Sequence, residues 1–335
     1  MAHETLIKKI FRIYPFLLLI FFLLFIILHF FYNTYQKVFI GERKNIYIYP
    51  KMKVWLLAHN LEKEGIITSS FYFRVLVKIR NSKIKAGFYE FNGFYNLFDV
   101  IKIMEKGGRG LKITITEGLT LKEVENIFKE KGFKVNPSKY KIKDFPNTGL
   151  GNYFEPDSNL EGFLAPDTYE FFPSDSEIDI LGKILKNFSE KYLSEILKGS
   201  DFNLNFYERL ILASIIEKEA KFPEDFPIIA GILIKRLKTN KPLEADATLV
   251  YEKCDFIFCK VTLTKEDFNK DSPYNTYKKL GLPPTPISNP GISAIKAVNN
   301  PTMTDYWYYL TASNGKAVFS KTLTEHKENI KKYLK

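Results

Sequence analysis

The chain opens with an apolar run. No residue from Ile13 to Gln36 carries a formal charge, and Ile13–Tyr32 reads IYPFLLLIFFLLFIILHFFY. About 20 helical residues at ~1.5 Å each cross the ~30 Å hydrocarbon core of a bilayer. Lys8, Lys9 and Arg12 precede the run, as in the leading part of a secretory signal. A cleaved signal has a shorter apolar core and small residues at its end, whereas this run ends HFFYNTYQ. The pattern predicts an uncleaved signal anchor over 13–36 rather than a buried core helix. Lys37, Arg43, Lys44, Lys51 and Lys53 follow closely, so the positive-inside rule alone gives an ambiguous orientation. A short basic tail before a long domain favours an inside N-terminus and an exported domain.

After the anchor, Lys37–Asn45 reads as a polar stalk. Ile46–Tyr49 is a short strand candidate closed by Pro50. Val54–Gly65 has helical apolar spacing and a glycine stop. Phe71–Ile79 is rich in β-formers and reads as a strand, as does Ala86–Phe91. Leu97–Lys106 is an amphipathic helix ended by Gly107-Gly108. Gly107-Gly108-Arg109-Gly110 follows a helix and precedes a strand, the reverse of a phosphate-binding loop, and reads as a linker turn. These elements form a small α/β module.

Beyond it, Leu111–Thr116 alternates as a strand, and Thr120 with Glu123 forms a capping box for a helix over Leu121–Lys131. Residues 136–159 are polar and loop-rich. Helices are expected over Ile178–Leu197, Phe206–Ala220 and Ile228–Lys238, the last two separated by Pro223 and Pro227. The segment before Tyr251 is taken as a strand. Asp271–Pro290 is rich in proline and lacks periodicity, and long ordered loops of this kind are usually functional. A short helix over Ser293–Val298, a strand over Tyr306–Thr311 and a charged helix over Lys321–Leu334 complete the expected fold. The class is α+β.

Composition narrows the function. The 335 residues carry 49 Lys and Arg against 38 Asp and Glu, a net charge of +11. That suits an anionic surface or polymer, or simple solubility. The basic residues are spread and the anchor points to a membrane, so a nucleic-acid partner is not expected. Two cysteines exclude a disulfide-stapled scaffold. Cys254 and Cys259 are either a local disulfide or two unrelated thiols. No HExxH, Cys/His cluster, G-x-S-x-G or phosphate-binding loop occurs, so no metal site and no cofactor is expected.

Carboxylates offer the best chemistry. In FYERLILASIIEKEA, Phe206, Leu210, Ala213 and Glu217 share one face at helical spacing, while Leu212, Ile215 and Ile216 make the other side apolar too. A carboxyl group desolvated at the end of such a helix has a raised pKa and stays protonated near neutrality, as a general acid must. The alternative is that Glu217-Lys218-Glu219 is the solvated last turn of a core helix, and spacing does not choose Glu217 over Glu219. Asp246, Thr248 and Tyr251 form a second constellation with Glu244. Asn275 and Tyr277, in Ser272-Pro-Tyr-Asn-Thr-Tyr277, suit a polar ring with C–H faces, which means a sugar; a proline-stiffened loop with Asn at a turn explains them equally. Glu161 lies in Leu160-Glu-Gly-Phe-Leu-Ala-Pro-Asp-Thr-Tyr169, a cleft lining or a turn.

Taken in order, these words resemble the YceG-like family, the endolytic murein transglycosylases. The resemblance is carried by Lys85-Ala-Gly-Phe-Tyr89, Thr116-Glu-Gly-Leu-Thr-Leu121, Leu160–Tyr169, Leu212-Ala-Ser-Ile-Ile-Glu-Lys-Glu219, Ile234-Lys-Arg-Leu237, Asp246-Ala-Thr-Leu-Val-Tyr251, Ser272–Tyr277, Gly281-Leu-Pro-Pro284 and Ile287-Ser-Asn-Pro-Gly291. The match runs from the anchor to the end of the chain. Ala220, the Ala-Asp-Ala before Thr248 and the Cys254–Cys259 segment depart from the family pattern.

The resemblance implies a cytoplasmic tail (1–12), a transmembrane anchor (13–36), a LysM-like module (45–108) and an extracytoplasmic catalytic domain (109–335) on the cell membrane. It implies cleavage within nascent peptidoglycan glycan strands between N-acetylmuramic acid and N-acetylglucosamine, leaving 1,6-anhydromuramyl ends, near a peptidoglycan synthase. It places the catalytic glutamate on Glu217. Glu161, Asp246, Thr248, Tyr251, Asn275 and Tyr277 are expected to bind or orient the sugar. A peptidoglycan-binding scaffold and a hydrolytic muramidase with Asp246 as second carboxylate are the alternatives.

Overall fold

The computed structural model describes residues 2–49, 51–198 and 202–334. Pro50, the expected strand terminator, lies outside them. The chain divides into two compact units, residues 1–111 with 172–174, and residues 112–171 with 175–335.

The first unit begins with helix α1 (Ala2–Tyr35). Its stretch Phe16–Tyr35 is long and apolar enough to cross a membrane. Side chains along it, among them Phe16, Phe21 and Leu28, are exposed. Strand β1 (Val38–Ile48) follows and pairs antiparallel with β2 (Gly87–Tyr95), with Ile46 opposite Tyr89 and a bulge between Ile40 and Lys44. The expected stalk is thus the first part of a strand. Its polar residues face solvent, while Ile40 and Ile46 point into the core. Helices α2 (Val54–Lys63), α3 (Ser70–Ile79) and α4 (Leu97–Lys106) cover the ribbon.

Helix α3 corrects the strand expected over Phe71–Ile79. Its aromatic and β-branched residues favour strands locally, but Phe73, Leu76 and Val77 bury at helical spacing and Ser69 caps the first turn. Packing against α2 overrides the weaker local preference. The Gly107–Gly110 segment is more than a linker. Phe88 and Arg109 exchange backbone hydrogen bonds of 3.0 and 2.8 Å. A Cβ on Gly108 would lie 2.6 Å from the Phe88 carbonyl oxygen, so only glycine permits this approach.

The second unit contains a two-stranded sheet of β3 (Leu111–Ile115) and β4 (Asp167–Phe171), helix α5 (Leu121–Glu130) and a chain of short 3-10 turns between residues 137 and 152. Strand β4 arises from the second half of the Leu160–Tyr169 word. Thr120 and Glu123 form the expected capping box on α5. The helix expected over 178–197 is α6 (Glu177–Phe188), a π-turn (Ser189–Leu193) and the short α7 (Ser194–Ile196). Then come α8 (Phe206–Glu219), α9 (Phe226–Lys238), α10 (Asp246–Lys253), α11 (Lys265–Asn269) and α12 (Ile292–Asn299). Pro227 sits in the first turn of α9, where its missing N–H costs nothing. The segment before Tyr251 is helical in α10, not a strand. The antiparallel hairpin β5 (Tyr308–Thr311) and β6 (Ala317–Ser320) packs with α13 (Leu323–Tyr333). Cys254 and Cys259 are joined in a disulfide.

Candidate active site

The site is built on α8. Asn205 and Glu208 form a capping box at its start, which satisfies backbone N–H groups that the helix cannot. Every residue from Arg209 to Ile216 is buried, so the helix is held all round. Ser214 fixes a neighbouring loop: its Oγ accepts the Ile287 N–H at 3.0 Å, and its carbonyl accepts the Ser288 hydroxyl at 3.1 Å. The last turn carries Glu217, Lys218 and Glu219. Carboxylates there face the negative end of the helix dipole, which disfavours ionisation.

Glu217 accepts the Gly291 N–H at 2.9 Å. Gly291 is the N-cap of α12, so Glu217 takes up one of that helix's unpaired donors. Burial pushes the Glu217 carboxyl up to about 7; the Glu117 charge adds to the rise, and the Gly291 N–H and Lys218 oppose it. Glu117 reaches over Gly291 so closely that a Cβ there would lie 2.1 Å from its Oε1. The Thr116–Leu121 and Ser288–Gly291 segments are tied together: Gly118 N–H donates to Asn289 O at 2.8 Å and Asn289 N–H to Leu119 O at 2.7 Å. The Asn289 side chain adds bonds to Leu119 O and from Leu164 N–H, both 2.8 Å. Four of the sequence words therefore meet around Glu217. Glu117 belongs to this centre, and its only signal in the sequence was its place in Thr116-Glu-Gly118.

Glu219 faces a different space. Burial and the Asp246 charge push it up to about 7. It lies on a cavity of about 620 Å³ whose wall includes Lys218, Asp246, Phe258, Tyr277 and Tyr309. Tyr277 donates its hydroxyl to Asp246 at 2.5 Å. Thr311 caps the end of α8 by donating to the Glu219 carbonyl at 2.7 Å.

The other expected site residues lie deeper. Glu161 is 2% exposed; its carboxyl accepts the Tyr251 hydroxyl at 2.8 Å and the Leu121 N–H at 3.0 Å. Burial raises it to about 8 against those hydrogen bonds. Thr248 bonds to Ala245 O at 2.8 Å and to the Thr276 hydroxyl at 3.0 Å. Asn275 donates to Phe268 O and Lys270 O at 3.1 and 2.8 Å, and its Oδ1 accepts the Tyr277 N–H at 3.1 Å. The structure thus groups Asp246 with Tyr277 on the cavity, Glu161 with Tyr251 in the core, and Asn275 as the staple of the loop carrying Tyr277. Among the described residues, no group of three or more His, Cys, Asp and Glu is placed to hold a metal ion.

The sequence model of the YceG-like family matches residues 46–332. This chain belongs to the YceG-like family. A relative in Bacillus subtilis, named an endolytic murein transglycosylase, is 35% identical over 87% of this chain and 84% of its own length. One of the same name in Streptococcus pneumoniae is 28% identical over 82% of this chain but only 55% of its own length. A crystal structure of a YceG-like protein from Listeria monocytogenes superposes with a TM-score of 0.55 at 31% identity, covering 86% of this chain and 98% of that one. The family match spans Glu217, Glu117, Asn289 and the cavity residues Lys218, Glu219, Asp246, Phe258, Tyr277 and Tyr309.

Proposed function

We propose that this YceG-like chain is a membrane-anchored endolytic lytic transglycosylase. It cuts peptidoglycan glycan strands between N-acetylmuramic acid and N-acetylglucosamine and leaves 1,6-anhydromuramyl ends. The relatives' names support the reaction class. The observation that carries the assignment to a residue is the Glu217 carboxyl, held by the Gly291 N–H with its pKa near 7.

The mechanism follows from one carboxyl group with that pKa. At neutrality a substantial fraction of Glu217 is protonated and donates to the bridging glycosidic oxygen. Positive charge builds at C1 and is met by the sugar's own N-acetyl oxygen, a substrate-assisted route. Glu217, now a carboxylate, removes the proton of the muramyl C6 hydroxyl as that oxygen closes on C1. No water attacks, so no second carboxylate is required. Asp246 and Tyr277 orient the sugar from the cavity. Glu161, Tyr251, Thr248 and Asn275 position the surrounding segments. The apolar helix spans the membrane with the N-terminus inside, residues 45–108 act as a LysM-like spacer, and the catalytic unit works outside, beside a peptidoglycan synthase.

Glu219 and Asp246 on one cavity wall favour one rival, a hydrolytic muramidase. Mass spectrometry of digested peptidoglycan separates the two. Ends lighter by one water, present with wild type and absent with Glu217→Gln, support the lytic reading. Reducing ends alone eliminate it. No cleavage by wild type on nascent strands favours a scaffold.

A further inference from the structure

The segment Cys254–Cys259 stands beside the proposed chemistry. Its disulfide closes a ring of the residues Cys-Asp-Phe-Ile-Phe-Cys directly after α10. Inside the ring Asp255 and Phe256 both hold positive φ, +58° and +63°. Neither is glycine, so the backbone is held against its preference. Three restraints from outside meet the ring. Lys122 pairs with Asp255 at 2.6 Å. The Phe258 N–H donates to Glu123 Oε1 at 3.3 Å. The rings of Phe256 and Phe258 pack on Tyr251 at 5.2 and 6.1 Å between centroids.

What the ring delivers is the Phe258 side chain. The Lys218 ammonium lies 3.7 Å from its ring centroid. Lys218 also donates to Gly118 O at 3.1 Å and directly follows Glu217. Both Phe258 and Lys218 line the cavity that holds Glu219, Asp246 and Tyr277. An aromatic ring packed on an ammonium is held by cation–π attraction, which strengthens where water is excluded.

We propose that the disulfide-closed ring Cys254–Cys259 is a positioning device for the glycan site: it holds Phe258 against Lys218, the residue that follows Glu217, and so builds the wall of the Glu219 cavity that receives a sugar residue. The proposal rests on the glycan-cleaving reading above. An aromatic group presents a flat face or edge to sugar C–H groups, while Lys218, Asp246 and Tyr277 meet hydroxyl and amide groups. Without the disulfide, the two left-handed residues relax and Phe258 leaves Lys218.

The test measures binding rather than turnover. The full chain in detergent, carrying Glu217→Gln to prevent cleavage, is titrated calorimetrically with a stem-free tetrasaccharide of alternating N-acetylglucosamine and N-acetylmuramic acid. Oxidised protein is compared with protein reduced by a phosphine, which is oxidised to its oxide with oxygen from water while the S–S bond becomes two thiols. Cys259 is exposed and open to the reagent. Loss of one well-placed aromatic contact predicts a Kd about 5- to 10-fold higher on reduction. Cys254→Ser with Cys259→Ser should match the reduced protein and ignore the phosphine. Phe258→Ala, which leaves the disulfide intact, should show the same weakening with an unchanged melting temperature. Equal Kd in oxidised and reduced protein overturns the proposal while leaving the glycan site standing. Weakening on reduction without weakening in Phe258→Ala overturns the role of Phe258. Absence of binding to the oxidised protein overturns the glycan reading and this proposal with it.

Discussion

The two units solve burial in opposite ways. In the first, the core is a set of aliphatic and aromatic side chains around Leu61, Phe73, Phe91 and Met104. Polar side chains join it at Thr34 and at Tyr89, whose hydroxyl donates to Met104 O at 3.1 Å. The second unit buries Glu161, Arg209, Arg236, Ser214, Thr248, Asn275, Ser288 and Asn289. Hydrophobic burial alone is enough to hold a small unit together. Buried polar groups cost stability unless each finds a partner, and here Ser214, Asn275, Asn289 and Arg236 find backbone groups of loops. The second unit therefore uses polar groups to fix where its loops lie. A site of several segments needs that definition, and an apolar core does not.

The sharpest way to break this comparison is at the site itself. Glu217→Gln should lower the cleavage rate by about 10²- to 10⁴-fold, the range a general acid supplies. Its melting temperature should stay within a few degrees of wild type. In the wild type, kcat/KM should fall as pH rises through about 7, because the raised carboxyl loses the proton it must donate. A flat profile across that range would remove Glu217 from the acid role.

Next in size is the apolar core of the first unit. Phe91 is fully buried. Phe91→Ala should destabilise that unit by about 3–5 kcal/mol through lost burial and a cavity. Denaturant titration followed by probes in each unit would show whether the second unit melts separately.

Asn289→Ala tests the polar strategy. It removes the bonds to Leu119 O and from Leu164 N–H in a buried place, at a cost of about 1–3 kcal/mol. Because that bridge also places Gly291 against Glu217, activity should fall more than in a surface variant of equal stability. Loss of stability with full activity would separate the bridge from the site.

The last effect is a slope. Glu161 titrates near 8 in the fold and near its ordinary value when unfolded. The folded protein then binds the extra proton between those values, so its contribution to stability is present at acid pH and is lost as pH rises toward 8. One proton corresponds to about 1.4 kcal/mol per pH unit. Denaturant midpoints of Glu161→Gln measured from pH 5 to 8 should fall less steeply than those of the wild type. Identical slopes would mean that Glu161 stays ionised, held by the Tyr251 hydroxyl and the Leu121 N–H.

Much of the fold was legible because its signals are local. The Thr120–Glu123 capping box, the Leu97–Lys106 stripe and the apolar flanks of α8 each lie within a few turns of chain. Phe71–Ile79 failed because β-forming side chains were outweighed by packing against α2. The first part of β1 failed because a polar strand is recognised by its partner, and that partner lies some fifty residues on, at Gly93–Tyr95. At the site, Glu217 and Glu219 were equal by spacing.

The sequence by itself determined the apolar span, the helices with strong caps and periodicity, and the order of words that marks the YceG-like family. These are properties of neighbouring residues, and they survive reading one residue at a time. Only the tertiary structure decided which carboxyl meets the Gly291 N–H and which faces the cavity. It also decided that Thr248 and Asn275 hydrogen-bond within the fold and that Glu117 joins the site. Those outcomes depend on burial and on partners far along the chain, since a carboxyl's pKa and a polar group's role are set by what surrounds it in space.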